Sequence, residues 1–262
     1  MKWLSWIYRE FLPPLLFFAI VIGVWSLSIS IFEIKALVLP APKAVWDYFI
    51  ENKAEVLTST WITAKAALLG LLCSLVIGTL VAMVFSASGF IRRGAYPYAI
   101  FLQTVPIIAI APLIVLWFGR GIQSVVIVSF VLSVFPIITN ATTGLLSVDR
   151  NLEELFRLHN ARWWQKLFRL RLPSAVPYIL AGLKIGAGAA VIGAIVGEFF
   201  VGFGAEEYGL GYRIRAKDES GLAAPLFAYV LASTALGVLI FAVVSGFSRL
   251  VLHRWFEGPD VG

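Results

Sequence analysis

Residues 61–86 read WITAKAALLGLLCSLVIGTLVAMVFS, with Lys65 as the one charged side chain. A helix needs about 20 predominantly apolar residues to cross ~30 Å of hydrocarbon, and this run supplies them. A helix on the surface of a soluble protein would keep a polar face, and this one has none. Five further runs have the same character: 12–32, 95–118, 122–146, 176–203 and 222–251. A transmembrane barrel would instead show short segments of alternating polarity. The sequence therefore predicts an all-α integral membrane protein. It forms a single transmembrane domain over 1–262, with six transmembrane helices. The first run is longer than the apolar core of a signal peptide, and no small-residue cleavage site follows it cleanly, so it reads as an uncleaved span.

Composition agrees. Of the 262 residues, 60% are hydrophobic and 14% charged, against about a quarter charged in an ordinary soluble domain. The mean hydropathy is +0.90. The net charge of +6 would point to nucleic acid in a soluble chain. Here the basic residues flank the spans, as they do on the cytoplasmic side of membrane proteins, and nucleic acid is not an expected partner. With the N-terminus inside, twelve of the 21 Lys and Arg residues fall in inside segments and seven in outside ones. Lys65 and Lys184 complete the set, near or within spans. Outside segments also carry the acids Glu33, Asp47, Glu206, Glu207 and Asp218. Both termini are therefore expected in the cytoplasm. Cys73, alone in an apolar run, reads as a packing residue. His159 and His253 are far apart with no ligand-like neighbours, so no metal site is expected.

The longest inside loop spans 147–175. Leu152, Phe156, His159 and Trp163 recur there at spacings of three or four, with Arg157, Arg162 and Lys166 among them. That is an amphipathic helical pattern. It fits a groove on a cytoplasmic partner or the surface of the lipid.

Residues 154–173 read ELFRLHNARWWQKLFRLRLP. This stretch resembles the "EAA" loop of bacterial ABC importer permeases. There an acid opens the motif, a Gly follows six positions later, and Leu-Pro closes it about a dozen further on. Glu154, Asn160 and Leu172-Pro173 stand in those places. Leu155 and Phe156 replace two small residues of the pattern, which implies a differently shaped partner groove. Asn160 replaces the Gly. Such a Gly supplies a positive φ between two short helices, and Asn is one of the few other residues that tolerates it. The run PSAVPYILAGLK over 173–184 resembles the start of the next helix in that family.

Other stretches are similar to nitrate/sulfonate/taurine-type permeases, in the same order: VLPAPKAV at 38–45, PIIAIAPLIVLWFG at 106–119, GEFF at 197–200 and YGLGY at 208–212. The resemblance implies a six-span permease in the bacterial inner membrane, with a cytoplasmic coupling helix between the fourth and fifth spans. Its implied partners are a second permease copy, taken as a homodimer, two ATP-binding cassette subunits and an extracytoplasmic solute-binding protein. No stretch matches G-x-x-x-x-G-K-[ST], so the chain is expected to bind no cofactor of its own, ATP and Mg being held by the ATPase. The solutes the family implies are small: nitrate, sulfonates, taurine, bicarbonate and heterocycles, and the GEF ending of the fifth span at 197–199 leans towards a small organic anion or heterocycle.

The resemblance places ATPase coupling on Glu154, Leu155, Phe156, Arg157, His159, Asn160, Ala161, Arg162 and Trp163. A kinked, cavity-lining third span is expected from Pro97, Pro106 and Pro112, with Gln103, Thr104 and Pro106 on the translocation pathway. Glu198, an ionisable group near the outer end of the fifth span, joins them as a pathway or gate residue, while Lys184 reads as snorkelling to the cytoplasmic face. Gly182, Gly186, Gly193 and Gly197 form small-xxx-small pairs for close helix packing, with the contacting helix left open. Two other classes compete. An ion-gradient-driven secondary transporter would show related halves, and none is evident. A membrane enzyme would need clustered polar groups, and Lys65, Lys184 and Glu198 are scattered.

Overall fold

The computed structural model describes residues 12–201 and 208–256. Phe203, the expected end of the fifth span, lies outside them, as do Glu206, Glu207, Lys2 and Arg9. The described residues form helices joined by short turns and irregular connections, with no strand among them. In chain order the helices are α1 (Leu12–Phe32), α2 (Pro42–Glu51), α3 (Lys53–Ala87), α4 (Gly89–Thr104), α5 (Ile107–Phe118), α6 (Ile122–Leu146), α7 (Arg150–Leu158) and α8 (Trp163–Lys166). A π-helical turn, Leu167–Arg171, runs into α9 (Leu172–Val201); α10 (Leu210–Glu219) and α11 (Ala223–Phe256) follow.

Five segments are long and apolar enough to cross a membrane: α1, α3, α6, the continuous run from α8 through α9, and α11. The expected third span, 95–118, is not one helix. α4 stops at Thr104, Val105 is extended (φ −71°, ψ 125°), and α5 begins after Pro106. The cause is local. Proline disfavours the helical region for the residue before it and offers no N–H of its own. The Thr104 hydroxyl donates to Phe101 O at 2.8 Å at this end. At 1.5 Å per residue α5 is about 18 Å long, too short to span alone. Pro97 and Pro112, by contrast, are accommodated inside α4 and α5.

The core is the sheaf of α3, α6 and α9. A Cβ added at Gly182 would lie 2.9 Å from Pro136 O, at Gly186 3.1 Å from Ser133 O, at Gly193 2.6 Å from Ser129 Cα and at Gly197 3.0 Å from Val125 Cα. All four glycines therefore face α6 of the same chain. Hydrocarbon gives no solvent-driven force between helices, so close backbone approach and interhelical hydrogen bonds hold them. Ser129 Oγ donates to Ala190 O across the α6–α9 contact at 2.9 Å. Ser74 and Ser133 Oγ lie 2.7 Å apart across α3–α6.

The outward faces are apolar. α1 has no buried residue and touches α11 through Trp25 and Phe227, whose ring centroids are 5.8 Å apart. Cys73, expected to pack inside, is exposed on α3, because its side of the helix turns away from α6 and α9. Lys184 is half-buried on α9.

Candidate functional site: a coupling segment and a carboxylate clamp

Two polar constructions sit at opposite ends of the bundle. The first is α7 and the chain that follows it. Asp149 caps α7, its carboxylate accepting from Asn151 N at 2.7 Å, which satisfies an amide the helix leaves unpaired. At the far end Asn160 has φ +49°. Ala161 N donates to Phe156 O and Asn160 N to Arg157 O, both at 3.0 Å. These are the two bonds of a Schellman motif, with Asn160 in the left-handed position expected for it. His159 Nδ1 lies 2.9 Å from Leu155 O. After the turn, Arg162 N donates to Gln165 Oε1 at 2.7 Å and starts α8.

The amphipathic pattern from Leu152 to Trp163 therefore does not lie on one helix. It crosses the Asn160 turn, which folds the two pieces against each other. Leu155, Phe156, His159, Ala161, Gln165 and Arg169 line a cleft of about 340 Å³. Glu154, Arg157, Arg162 and Trp163 are exposed. So are the apolar Leu152, Leu155 and Leu158, the last 78% exposed. A nine-residue helix with three bare leucines is too short to be stable alone, and most helical stability in proteins comes from tertiary packing.

The left-handed turn gives a direct test. Asn160→Gly is expected to leave the fold intact or slightly more stable. Asn160→Val, which must hold a β-branched residue at positive φ, should cost about 1–3 kcal/mol. Thermal unfolding in detergent distinguishes the two; equal melting temperatures would contradict the assignment.

The second construction closes the opposite end. Glu198, near the end of α9, is buried. Its Oε2 accepts from Thr63 Oγ1 of α3 at 2.9 Å and from Gly211 N of α10 at 2.8 Å. Thr63 Oγ1 in turn accepts from Leu210 N at 2.8 Å. Leu210 and Gly211 open α10, where amides lack helical partners and the helix dipole favours an anion. Gly209 and Gly211 crowd the side chain: a Cβ at either would collide with it. The GEFF and YGLGY stretches are thus two halves of one contact. Around it, Arg213 pairs with Glu55 at 2.9 Å and the Tyr229 hydroxyl donates to the same Glu55 Oε1 at 2.7 Å. Arg215 donates to Phe199 O at 3.0 Å.

Gln103, Thr104 and Pro106 lie exposed at the α4–α5 break, while the hydrogen-bond partners of Glu198 come from α3 and α10. Two side-chain contacts had no sequence signal. Thr63 meets Glu198 across 135 residues. Glu153, one position before the acid singled out by the motif, pairs with Arg171 at 2.5 Å. The described residues contain no group of three or more His, Cys, Asp or Glu side chains that could hold a metal ion.

Comparison with known proteins fits this architecture. Residues 74–253 match the family model described as "Binding-protein-dependent transport system inner membrane component". The chain is 38% identical over 247 residues to the formylaminopyrimidine transport permease protein ThiX of Halalkalibacterium halodurans, covering 92% of this chain and 95% of that one. It is 30% identical over 255 residues to the putative aliphatic sulfonates transport permease protein SsuC of Bacillus subtilis, covering 92% and 87%. Its fold is similar to a chain of the MetNI methionine ABC transporter solved in inward-facing conformations, with a TM-score of 0.65 and 19% identity over 75% of this chain and 95% of that one. An ion-gradient-driven secondary transporter finds no support among these. The chain is a multi-pass membrane protein that belongs to the binding-protein-dependent transport system inner membrane component family, as a permease subunit of an ABC transporter.

Proposed function

We propose that this chain is the membrane pathway of an ATP-driven importer for a small solute delivered by an external binding protein. The observation that carries this reading is the exposed apolar edge of α7 beside the cleft. This edge sits on a segment between two spans, next to the cleft that Leu155 and Phe156 line, where a protein groove is the natural cover. Glu154 to Trp163 dock in a cytoplasmic ATPase. Two ATPases hold ATP and Mg; this chain binds neither. Their closure moves α7, and the spans pass from inward-open to outward-open. Two copies of the chain enclose the pathway, symmetric dimers being the commonest assembly. Six crossings, counting α4 and α5 as one broken span, put both termini and α7 in the cytoplasm, in line with the excess of basic residues there.

The pathway runs past Gln103, Thr104 and Pro106 at the α4–α5 break, with Glu198 at the gate on the α10 end. A helix broken within the membrane is tolerated where it lines a cavity. The substrate is a heterocycle or small organic anion. The 38% identity to a permease named for formylaminopyrimidine favours the heterocycle, and the relative named for sulfonates favours the anion.

The test is a mild-detergent pull-down of the tagged chain beside Glu154→Lys. Wild type should retain a P-loop ATPase. Reversing one charge at the docking face should weaken retention about 10-fold or more, equivalent to about 1.4 kcal/mol. No ATPase on the wild type, under conditions that preserve other membrane complexes, sinks the proposal.

A further inference from the structure

α3 ends at Ala87, and the last carbonyls of a helix have no N–H partner within it. One of them, Ser86 O, accepts from Arg171 Nη1 at 3.0 Å. Arg171 Nη2 of the same guanidinium donates to Glu153 Oε1 at 2.5 Å. Arg171 is the last residue of the π turn and immediately precedes α9. One planar group therefore ties three elements together: α7, the end of α3 and the base of α9. The rigid fork of arginine suits two directed bonds, which the single ammonium of lysine cannot copy. The arginine sits at a helix C-terminus, where a cation is favoured.

α7 has little else to hold it. None of its residues is buried. Among the described residues, the Glu153–Arg171 pair is the one hydrogen bond or ion pair between a side chain of α7 and another element. The Arg171 side chain is 21% exposed and that of Glu153 42%, so the guanidinium end of the pair is the more shielded from water. Between α7 and α9 the backbone widens into a π turn, a geometry uncommon in helices and frequent at functional sites.

We propose that Glu153 and Arg171 form a positioning pair that carries displacement of α7 to the end of α3 and the base of α9, so that ATP hydrolysis and solute movement stay coupled. The inference rests on the importer reading above and adds to it the residues that transmit the stroke. α7 without the pair still docks but swings on its two chain connections, and its movement is not passed on.

The experiment uses the complete transporter in proteoliposomes: this permease, its ATPase and its binding protein. The readouts are solute moved per ATP hydrolysed, basal ATPase activity and retention of the ATPase. The variants are Glu153→Ala, which removes the acceptor, Arg171→Gln and the double variant. Each single variant should keep the ATPase and its basal activity within about twofold, while solute moved per ATP falls about 10-fold, in the range of ordinary coupling energies. The double variant should be no worse than the poorer single one, because two groups acting as a unit are lost once. If Arg171→Gln does not assemble, Glu153→Ala, which leaves the bond to Ser86 O, carries the test alone. An unchanged ratio in the single variants overturns the inference. So does a double variant about 100-fold down, or a loss of transport that only follows loss of the assembled complex. A wild-type chain that holds no ATPase overturns the importer reading and this inference with it; unchanged variants beside a coupled wild type overturn this inference alone.

Discussion

Glu198→Ala should destabilise the protein by about 2–4 kcal/mol and abolish transport, while Glu198→Gln should stay within about 1 kcal/mol of wild type. The asymmetry follows from what the carboxylate does. Its Oε2 accepts from Gly211 N and Thr63 Oγ1 in a buried place. Alanine removes that acceptor and leaves a space between α9 and α10. The Thr63 hydroxyl has an alternative, since Ser59 O lies 3.1 Å away. The Gly211 amide has none evident and becomes a buried orphan, which alone costs ~1–3 kcal/mol. Glutamine keeps an oxygen at the same position. Its amide nitrogen would occupy the place of Oε1, which is buried and makes no hydrogen bond among the described residues, at a small cost. Melting in detergent and uptake in proteoliposomes read the result. A glutamine variant as damaged as alanine would mean that charge, rather than an acceptor, is what this end of the bundle needs.

Gly193→Val should lower the melting temperature by about 2–12 °C, against no measurable change for Gly188→Ala, although the two glycines share a helix. A Cβ on Gly193 falls 2.6 Å from Ser129 Cα and 3.0 Å from Val128 O. Both are backbone atoms of α6, so no rotamer change relieves them. α6 cannot retreat either, because Gly70 of α3 meets Ser129 from another side with no more room. Forced apart, α6 and α9 also lose the bond from Ser129 Oγ to Ala190 O. Gly188 has nothing within 4 Å of an added Cβ. If both substitutions are silent, the helices are not packed as closely as this arrangement requires.

Much of this was legible in the chain because the bilayer is a demanding solvent. It imposes length and apolarity on each span, and five long helices stand where those two properties put them. Asn160 was legible for a local reason, since few side chains tolerate a positive φ. The glycine spacing announced close packing but could not name α6 as the partner, because small residues mark proximity without identity. Pro106 announced a distortion, and its size, a full break, depended on how Val105 settled. The polar ties escaped altogether. Thr63 to Glu198 and Glu153 to Arg171 join residues with no shared periodicity, and long-range hydrogen bonds and ion pairs leave no pattern along a sequence. The YGLGY stretch was visible as a likeness, yet its physical content, two glycines making room for a carboxylate, exists only once α9 and α10 meet.

The bare first helix has a consequence for how the protein is made. α1 buries no residue, and its ring contact with α11 is that of Trp25 with Phe227. Its partition from the translocon into lipid is therefore favourable on its own hydrophobicity, without help from the helices that follow it. α9 is the opposite case, carrying Lys184 and a row of glycines whose nearest contacts are with α6. α1 thus enters lipid unaided, whereas α9 follows in the chain the helix α6 that its glycines pack against.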